Sequence, residues 1–247
     1  MSSAKIAVVT GASSGIGAAT VHALSKAGFR VIAGARRLET LEEVTRAAGA
    51  SAIPLDVRDQ ESVDNFAAAT PEVHLLVNNA GLALGLDPIG TAKEQDWLTM
   101  YETNVLGAMR VTRAFLPALE ASGDGQIINV GSTAGFEVYP GGGGYTASKH
   151  GMKALTRTLR LELLGKPIRV TEIAPGMAET EFSLVRFGGD SHRAASVYQG
   201  LKPLTAEDIA ECIAWTANRP AHVNIDEMVI RPLFQATSTQ VHRAEKD

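Results

Sequence analysis

The stretch Ile6-Ala7-Val8-Val9-Thr10-Gly11-Ala12-Ser13-Ser14-Gly15-Ile16-Gly17 decides how the rest of the chain is read. Ile6–Val9 is a short, mostly β-branched run of strand length. A glycine-rich turn follows, and an Ala-rich helical pattern runs from it to about Ala27. A strand that feeds such a turn and then a helix start has the makings of an anion site. Glycines let the backbone turn sharply and approach a pyrophosphate, and the free amides of the helix start point at its oxygens. The spacing is G-x-x-x-G-x-G, which departs from the generic G-x-G-x-x-G dinucleotide fingerprint. The position between first strand and first helix is what separates a nucleotide site from an ordinary loop.

The same alternation continues outward. Further strands are expected at Val31–Ala33, Ala52–Leu55, Leu75–Val77, Ile127–Val130, Ile168–Ile173 and Val229–Ile230, with helices near 37–47, 59–69, 92–120, 145–164 and 205–218. Continuous apolar strands alternating with helices imply a doubly wound, mainly seven-stranded parallel sheet covered on both faces. Thr91 with Glu94 has the spacing of a capping box, and Thr205 with Asp208 a weaker version. Met152, Leu155, Leu159 and Leu163 recur at helical spacing and should form a buried stripe. No repeat or linker divides the chain, so residues 1–247 read as a single domain. Residues 177–203 lack a clear period and are expected to form a substrate lid. The tail from about 232 to 247 is polar after Phe234, which fits either disorder or contact with a neighbouring subunit.

Composition narrows the function classes. The 247 residues are 45% hydrophobic and 20% charged, which excludes disordered, collagen-like and low-complexity chains. A net charge of -4 without a Lys/Arg stripe argues against a nucleic-acid surface. One cysteine, Cys212, cannot form an internal disulfide or a zinc cluster and reads as a small core residue. The six histidines show no metal-ligand spacing, so no metal is expected, and His150 reads as helix surface. There is no apolar run long enough for a membrane span and no secretory leader pattern in Met1–Lys5, so a cytoplasmic protein is expected.

Several motifs stand in a fixed order: Thr10–Gly17, Asn78-Asn79-Ala80-Gly81, Asn104, Ser132, Tyr145-x-x-x-Lys149 and Pro175-Gly176. Together they resemble the short-chain dehydrogenase/reductase family over essentially the whole chain. The resemblance implies a Rossmann-type fold, hydride transfer on a nicotinamide cofactor, and pairing into homodimers or homotetramers. It also implies a cofactor site of Gly11, Ser13, Ser14, Gly15, Ile16, Gly17, Asp56, Val57, Asn79, Ala80, Gly81, Pro175, Gly176 and Thr180, joined by Tyr145 and Lys149. The implied catalytic group is Asn104, Ser132, Tyr145 and Lys149, with Asn104 completing a water-linked proton relay.

The end of the second strand bears on NAD against NADP. An NAD enzyme needs a carboxylate there for the ribose hydroxyls, and this chain has Ala35-Arg36-Arg37. Guanidinium forks bind a 2′-phosphate bidentately, so NADP(H) is expected, the alternative being two surface arginines. Tyr145 and Lys149 are four apart and share a helix face. A phenol of ordinary pKa is a poor base at neutral pH. A cation about 5 Å away, at an effective dielectric of 20, favours the phenolate by roughly 3 kcal/mol, or about two pKa units. Ser132 would hydrogen-bond the substrate oxygen.

Residues 77–85, 131–135, 180–187 and 220–225 resemble the branch of NADP-dependent 3-hydroxy acid (serine) dehydrogenases. That branch implies oxidation of the 3-hydroxyl of serine, allo-threonine and related small acids. An anionic substrate needs a cationic receptor. Arg186 is the candidate, against the reading of an exposed loop arginine. Glu137 is expected to place a negative charge near the site, and Gly141–Gly144 is an unusual glycine run. Two other functions compete: a broad NADPH-dependent carbonyl or secondary-alcohol reductase of the same fold, and a non-catalytic NADP-sensing protein.

Overall fold

β1, Ile6–Thr10, is buried at every position, so both of its faces need cover. In the computed structural model, which describes residues 4–244, that cover comes from two separate cores. Ala7 and Val9 point into one, with Val21 and Leu24 of α1 (Gly15–Lys26) and Ile209 and Ile213 of α9 (Ala206–Ala217). Ile6 and Val8 point into the other, with Phe66 of α3 (Gln60–Ala68) and Val111, Phe115 and Leu119 of α5 (Ala108–Ala121). The period of two along the strand thus feeds both layers.

The remaining strands are β2 (Arg30–Ala35), β3 (Ser51–Pro54), β4 (Leu75–Asn78), β5 (Gly125–Val130), β6 (Ile168–Pro175) and β7 (Glu227–Ile230). All pair in parallel in the order β3-β2-β1-β4-β5-β6-β7. This is the expected Rossmann-type single domain. The winding reverses between β1 and β4, and a ligand of such a sheet sits outside the carboxyl ends of the strands at that crevice. α2 (Leu38–Ala48), α4 (Glu94–Tyr101), α6 (Gly143–Glu162), α7 (Phe182–Arg186) and α8 (Ser191–Ser196) complete the helices.

Four local expectations change. The helix expected over 92–120 is broken by a π-helical stretch at Glu102–Gly107, which carries Asn104. Thr91 does not cap α4. It closes a 3₁₀ turn, Ile89–Thr91, bonding back to Pro88, and Lys93 precedes the helix instead. The weaker signal is the one that forms, since Thr205 and Asp208 make a complete capping box on α9. In α6, Leu155 and Leu163 are only half-buried, because Lys153 and Thr156 share the covered face with Met152 and Leu159. Cys212 is likewise half-buried rather than core.

Candidate active site

The first turn can exist only with glycine at its corners. Gly11 has φ +64°, and a Cβ there would lie 2.7 Å from Ala80 Cα. A Cβ on Gly17 would meet the Gly11 carbonyl at 2.3 Å. The turn is locked from the other side of the crevice. The Thr10 hydroxyl accepts from the amides of Asn79 and Ala80, both at 3.0 Å. The Asn79 side-chain amide donates to the carbonyls of Thr10 and Gly11 at 2.9 and 3.1 Å. Asn78 points inward instead and donates to Thr112 and Asn129.

A cleft of about 710 Å³ opens above this crevice. Its wall includes Gly11, Ser13, Ser14, Gly15, Ile16, Arg36, Arg37, Asp56, Val57, Asn79, Ala80, Gly81, Pro175, Gly176 and Thr180, together with Ser132, Tyr145, Lys149 and Arg186. Two expected site residues do not reach it. Gly17 stands behind Gly11 as a packing glycine. Asn104 is completely buried. Its amide holds the backbone of Leu82 at two points, Leu82 N–H to Oδ1 at 2.8 Å and Nδ2 to Leu82 O at 2.9 Å, and donates to Ser148 Oγ at 2.9 Å. The amide is carried by the π-helical stretch, an element frequent at functional sites.

At one end of the cleft the charges are exposed. Arg37 donates to Ser13 Oγ at 3.3 Å, to Ser14 Oγ at 2.6 Å and to Glu181 at 2.9 Å. The guanidinium, with help from Ser14, holds the Glu181 carboxyl below the usual range. Arg36 is exposed beside it. Burial works against the Asp56 charge, but hydrogen bonds from Arg58 outweigh it and hold that carboxyl low. Arg58 and Glu181 also line the cleft, although no motif in the sequence marks them.

At the other end the groups are buried. Tyr145 and Lys149 lie on α6, and the Lys149 ammonium is 5.8 Å from the Tyr145 ring centroid. Burial pushes the Tyr145 phenol above its ordinary range, with Ser132 and Arg186 pulling in the opposite direction. The expected lowering of the phenol by Lys149 is not found: loss of hydration outweighs the opposing pull of Ser132 and Arg186. Burial lowers Lys149 to about 8, against the pull of Glu172. Ser132 precedes a 3₁₀ turn, and its hydroxyl accepts from Ala134 N–H at 3.1 Å.

Arg186, at the end of α7, is half-buried and faces this group. It donates through Nε to the Gly85 carbonyl and through Nη1 to the Tyr139 hydroxyl, each at 3.0 Å. Its guanidinium carbon is 5.7 Å from the Tyr145 ring centroid. The glycine run has a steric cause: at Gly141, with φ +75°, a Cβ would meet the Leu86 carbonyl at 2.4 Å. Glu137 does not bring a free charge to the site. It is ion-paired to Arg231 and accepts from the amide and hydroxyl of Ser238, both at 2.6 Å.

A family model described as short chain dehydrogenase matches residues 5–186. The chain belongs to the short chain dehydrogenase family. It is 55% identical over 236 residues to an uncharacterized oxidoreductase of Mycobacterium tuberculosis, covering 96% of this chain and 94% of that one. It is 46% identical over 239 residues to a sulfoacetaldehyde reductase of Chromohalobacter salexigens, covering 93% and 94%. An NADP-dependent 3-hydroxy acid dehydrogenase of Shigella flexneri is 42% identical over 246 residues, covering 96% and 99%. Among solved structures, the closed form of a serine dehydrogenase complexed with NADP+ superposes with a TM-score of 0.92 at 41% identity, covering 97% and 100%.

This short chain dehydrogenase uses its own tail in the cleft. Gln235, Ser238 and Thr239 line the wall, and Gln235 Oε1 accepts from Met177 N–H at 2.8 Å. The described part of the tail is therefore folded against its own chain, anchored further by Ala244 N–H on Gly200 O. No periodicity or motif marks these residues, and only the tertiary contact reveals them.

Proposed function

We propose that this protein is an NADP(H)-dependent oxidoreductase that interconverts the 3-hydroxyl of small hydroxy acids, of the serine, allo-threonine and 3-hydroxypropionate type, with the corresponding carbonyl. The observation that carries the substrate class is Arg186. Its guanidinium stands beside the Tyr145 ring in the same cleft, with Nη2 free of a protein partner among the described residues. A cation at that range suits a substrate whose anionic group lies a few bonds from the reacting carbon.

The residues fit the cofactor. Gly11, Ser13, Ser14, Gly15 and Ile16, the glycine turn and the start of α1, line the cleft, where a pyrophosphate would meet backbone at a helix start. Arg36 and Arg37 would hold a 2′-phosphate, and the end of β2 offers no carboxylate to repel it. Asp56 and Val57 would border the adenine, and Lys149 would hold the nicotinamide ribose. The bound cofactor supplies hydride exchange with the substrate carbon. Ser132 hydrogen-bonds the reacting oxygen, and Tyr145 takes or returns its proton as general base or acid. Held protonated by burial, Tyr145 is set to donate, which is the role carbonyl reduction requires. Asn104 holds the Leu82 backbone at the side of the cleft. We read 177–203, braced internally by Tyr198 on Ser183 and Ala178, as a lid over the substrate.

A sulfonate is a second anionic class, favoured by the 46% identity to a sulfoacetaldehyde reductase. Sulfoacetaldehyde and 3-oxopropionate both place the anion one methylene from the reacting carbon. Absorbance assays of NADP(H) with these acids, sulfoacetaldehyde and neutral secondary alcohols test the reading. Anionic substrates are expected to lead by at least about tenfold, the worth of about 1.4 kcal/mol. Faster turnover of neutral ketones would point to the broad reductase instead, and binding without turnover to a cofactor sensor. A homodimer or homotetramer is part of the proposal, supported by exposed Leu98, Tyr101, Leu161 and Leu164. So is a cytoplasmic location; among the described residues no helix is long and apolar enough to cross a membrane.

A further inference from the structure

Behind the catalytic face of α6 lies a carboxylate that the reaction above does not use. Glu172, in β6, is 2% exposed, and its Oε1 has no hydrogen-bond partner among the described residues. The turn that carries Ser132 closes directly over it. A Cβ on Gly131 would come within 2.2 Å of Oε1, and one on Gly135 within 3.7 Å. From α6, at four-residue spacing, buried Lys149 and Lys153 and exposed Arg157 place positive charge that favours this carboxylate's ionised form. From β7, Glu227 stands in register with it. Asn129, its register partner on β5, turns to Asn78 and Thr156 and brings no charge.

These groups differ in what satisfies them. Lys153 is ion-paired to Glu227 and lies 4.6 Å from the Phe136 ring centroid. Lys149 has only a neutral acceptor, the Val130 carbonyl at 2.9 Å. A buried carboxylate with an open lone pair is costly by itself, and a buried ammonium without a counter-charge is costly too. Each offsets the cost of the other. Burial drives the Lys149 proton off earlier than usual, and Glu172 is the group that opposes it.

We propose that Glu172 is a positioning residue that keeps Lys149 charged from behind, through the alternating series Lys149, Glu172, Lys153 and Glu227. The proposal rests on Lys149 being the lysine of the reaction, so the test reads Lys149 itself, without substrate or cofactor. Protein labelled with [ε-¹³C]lysine is titrated by NMR, with the Lys149 signal assigned through Lys149→Arg. Glu172→Gln, nearly isosteric, is expected to lower the Lys149 midpoint by about one pH unit, while Glu172→Asp keeps it near the wild-type value. Glu227→Gln, at the partly exposed end of the series, frees Lys153 to neutralise Glu172. It is expected to lower the midpoint less, and it serves where Glu172→Gln does not fold. In Glu172→Gln the alkaline limb of kcat/KM for carbonyl reduction should move down with the NMR midpoint, which a loss of packing alone would not do. A Lys149 midpoint that stays put in folded Glu172→Gln, or in Glu227→Gln, would overturn the proposal. Failure of the wild type to reduce any carbonyl compound would instead overturn the dehydrogenase reading, with the titration still reporting on Glu172.

Discussion

At the end of the cleft proposed to hold the adenosine phosphate the charged groups sit in water, whereas at the proposed catalytic end they are buried. The side chains of Arg37 and Glu181 are 53% and 50% exposed, and the pair contributes between zero and about 1 kcal/mol to stability. Tyr145 and Lys149 are less than a tenth exposed, and both have shifted pKa values. The contrast separates two tasks. Recognition of a phosphate needs accessible donors that can release their present partner, here Glu181. Proton transfer needs groups whose hydration has been replaced by fixed neighbours, since only there do Ser132, Arg186 and Glu172 bear strongly on a titration.

The largest effect should come from the buried end. Tyr145→Phe is expected to lower kcat by about 10²–10⁴-fold while leaving cofactor affinity close to wild type, as read by steady-state assay and cofactor fluorescence titration. At the exposed end, Arg36→Asp should raise KM for NADPH by roughly 10-fold or more through like-charge repulsion of the phosphate, with kcat little changed. An unaltered NADP/NAD preference would remove Arg36 from the phosphate site.

Lys149 sharpens the contrast through stability. Its folded value near 8 lies below the roughly 10.4 of a free lysine, so between those values the unfolded chain binds more protons. The burial penalty thus acts in full below pH 8 and fades as pH rises toward about 10.4. The difference in Tm between Lys149→Met and the wild type is expected to shift in the wild type's favour from pH 7 to pH 10, by calorimetry, with activity abolished in the variant. Carbonyl reduction by the wild type should decline above pH 8 as that ammonium is lost. The smallest effect belongs to a residue remote from the cleft. Thr205→Ala removes the capping box of α9 and should cost about 1 kcal/mol, or some 2–4 °C in Tm.

The parts legible in the sequence were those set by neighbours along the chain. A strand, a glycine turn and a helix start follow one another within Ile6–Gly17, and the four-residue spacing of Tyr145 and Lys149 places them on one helix face. What was not legible depends on residues far apart. Glu137 looked like a free charge near the site, yet Arg231 and Ser238, about a hundred residues later, neutralise it. Thr91, with Glu94 rather than an aspartate three residues on, had the better residue pair for a capping box than Thr205, but its backbone is committed to a 3₁₀ turn. The direction of the Tyr145 shift was misread because spacing reports a nearby cation and says nothing of burial. Gln235 and Glu172 carry no local signal at all.

The central claim is that an anionic group is read by Arg186 beside the Tyr145 proton site. Its most direct test is the ratio of kcat/KM for 3-hydroxypropionate to that for its neutral analogue 1-propanol, in the wild type and in Arg186→Ala. The wild type should favour the acid by at least about tenfold, and the variant should lose most of that preference through KM. An acid preference unchanged by Arg186→Ala, or no preference in the wild type, would contradict it.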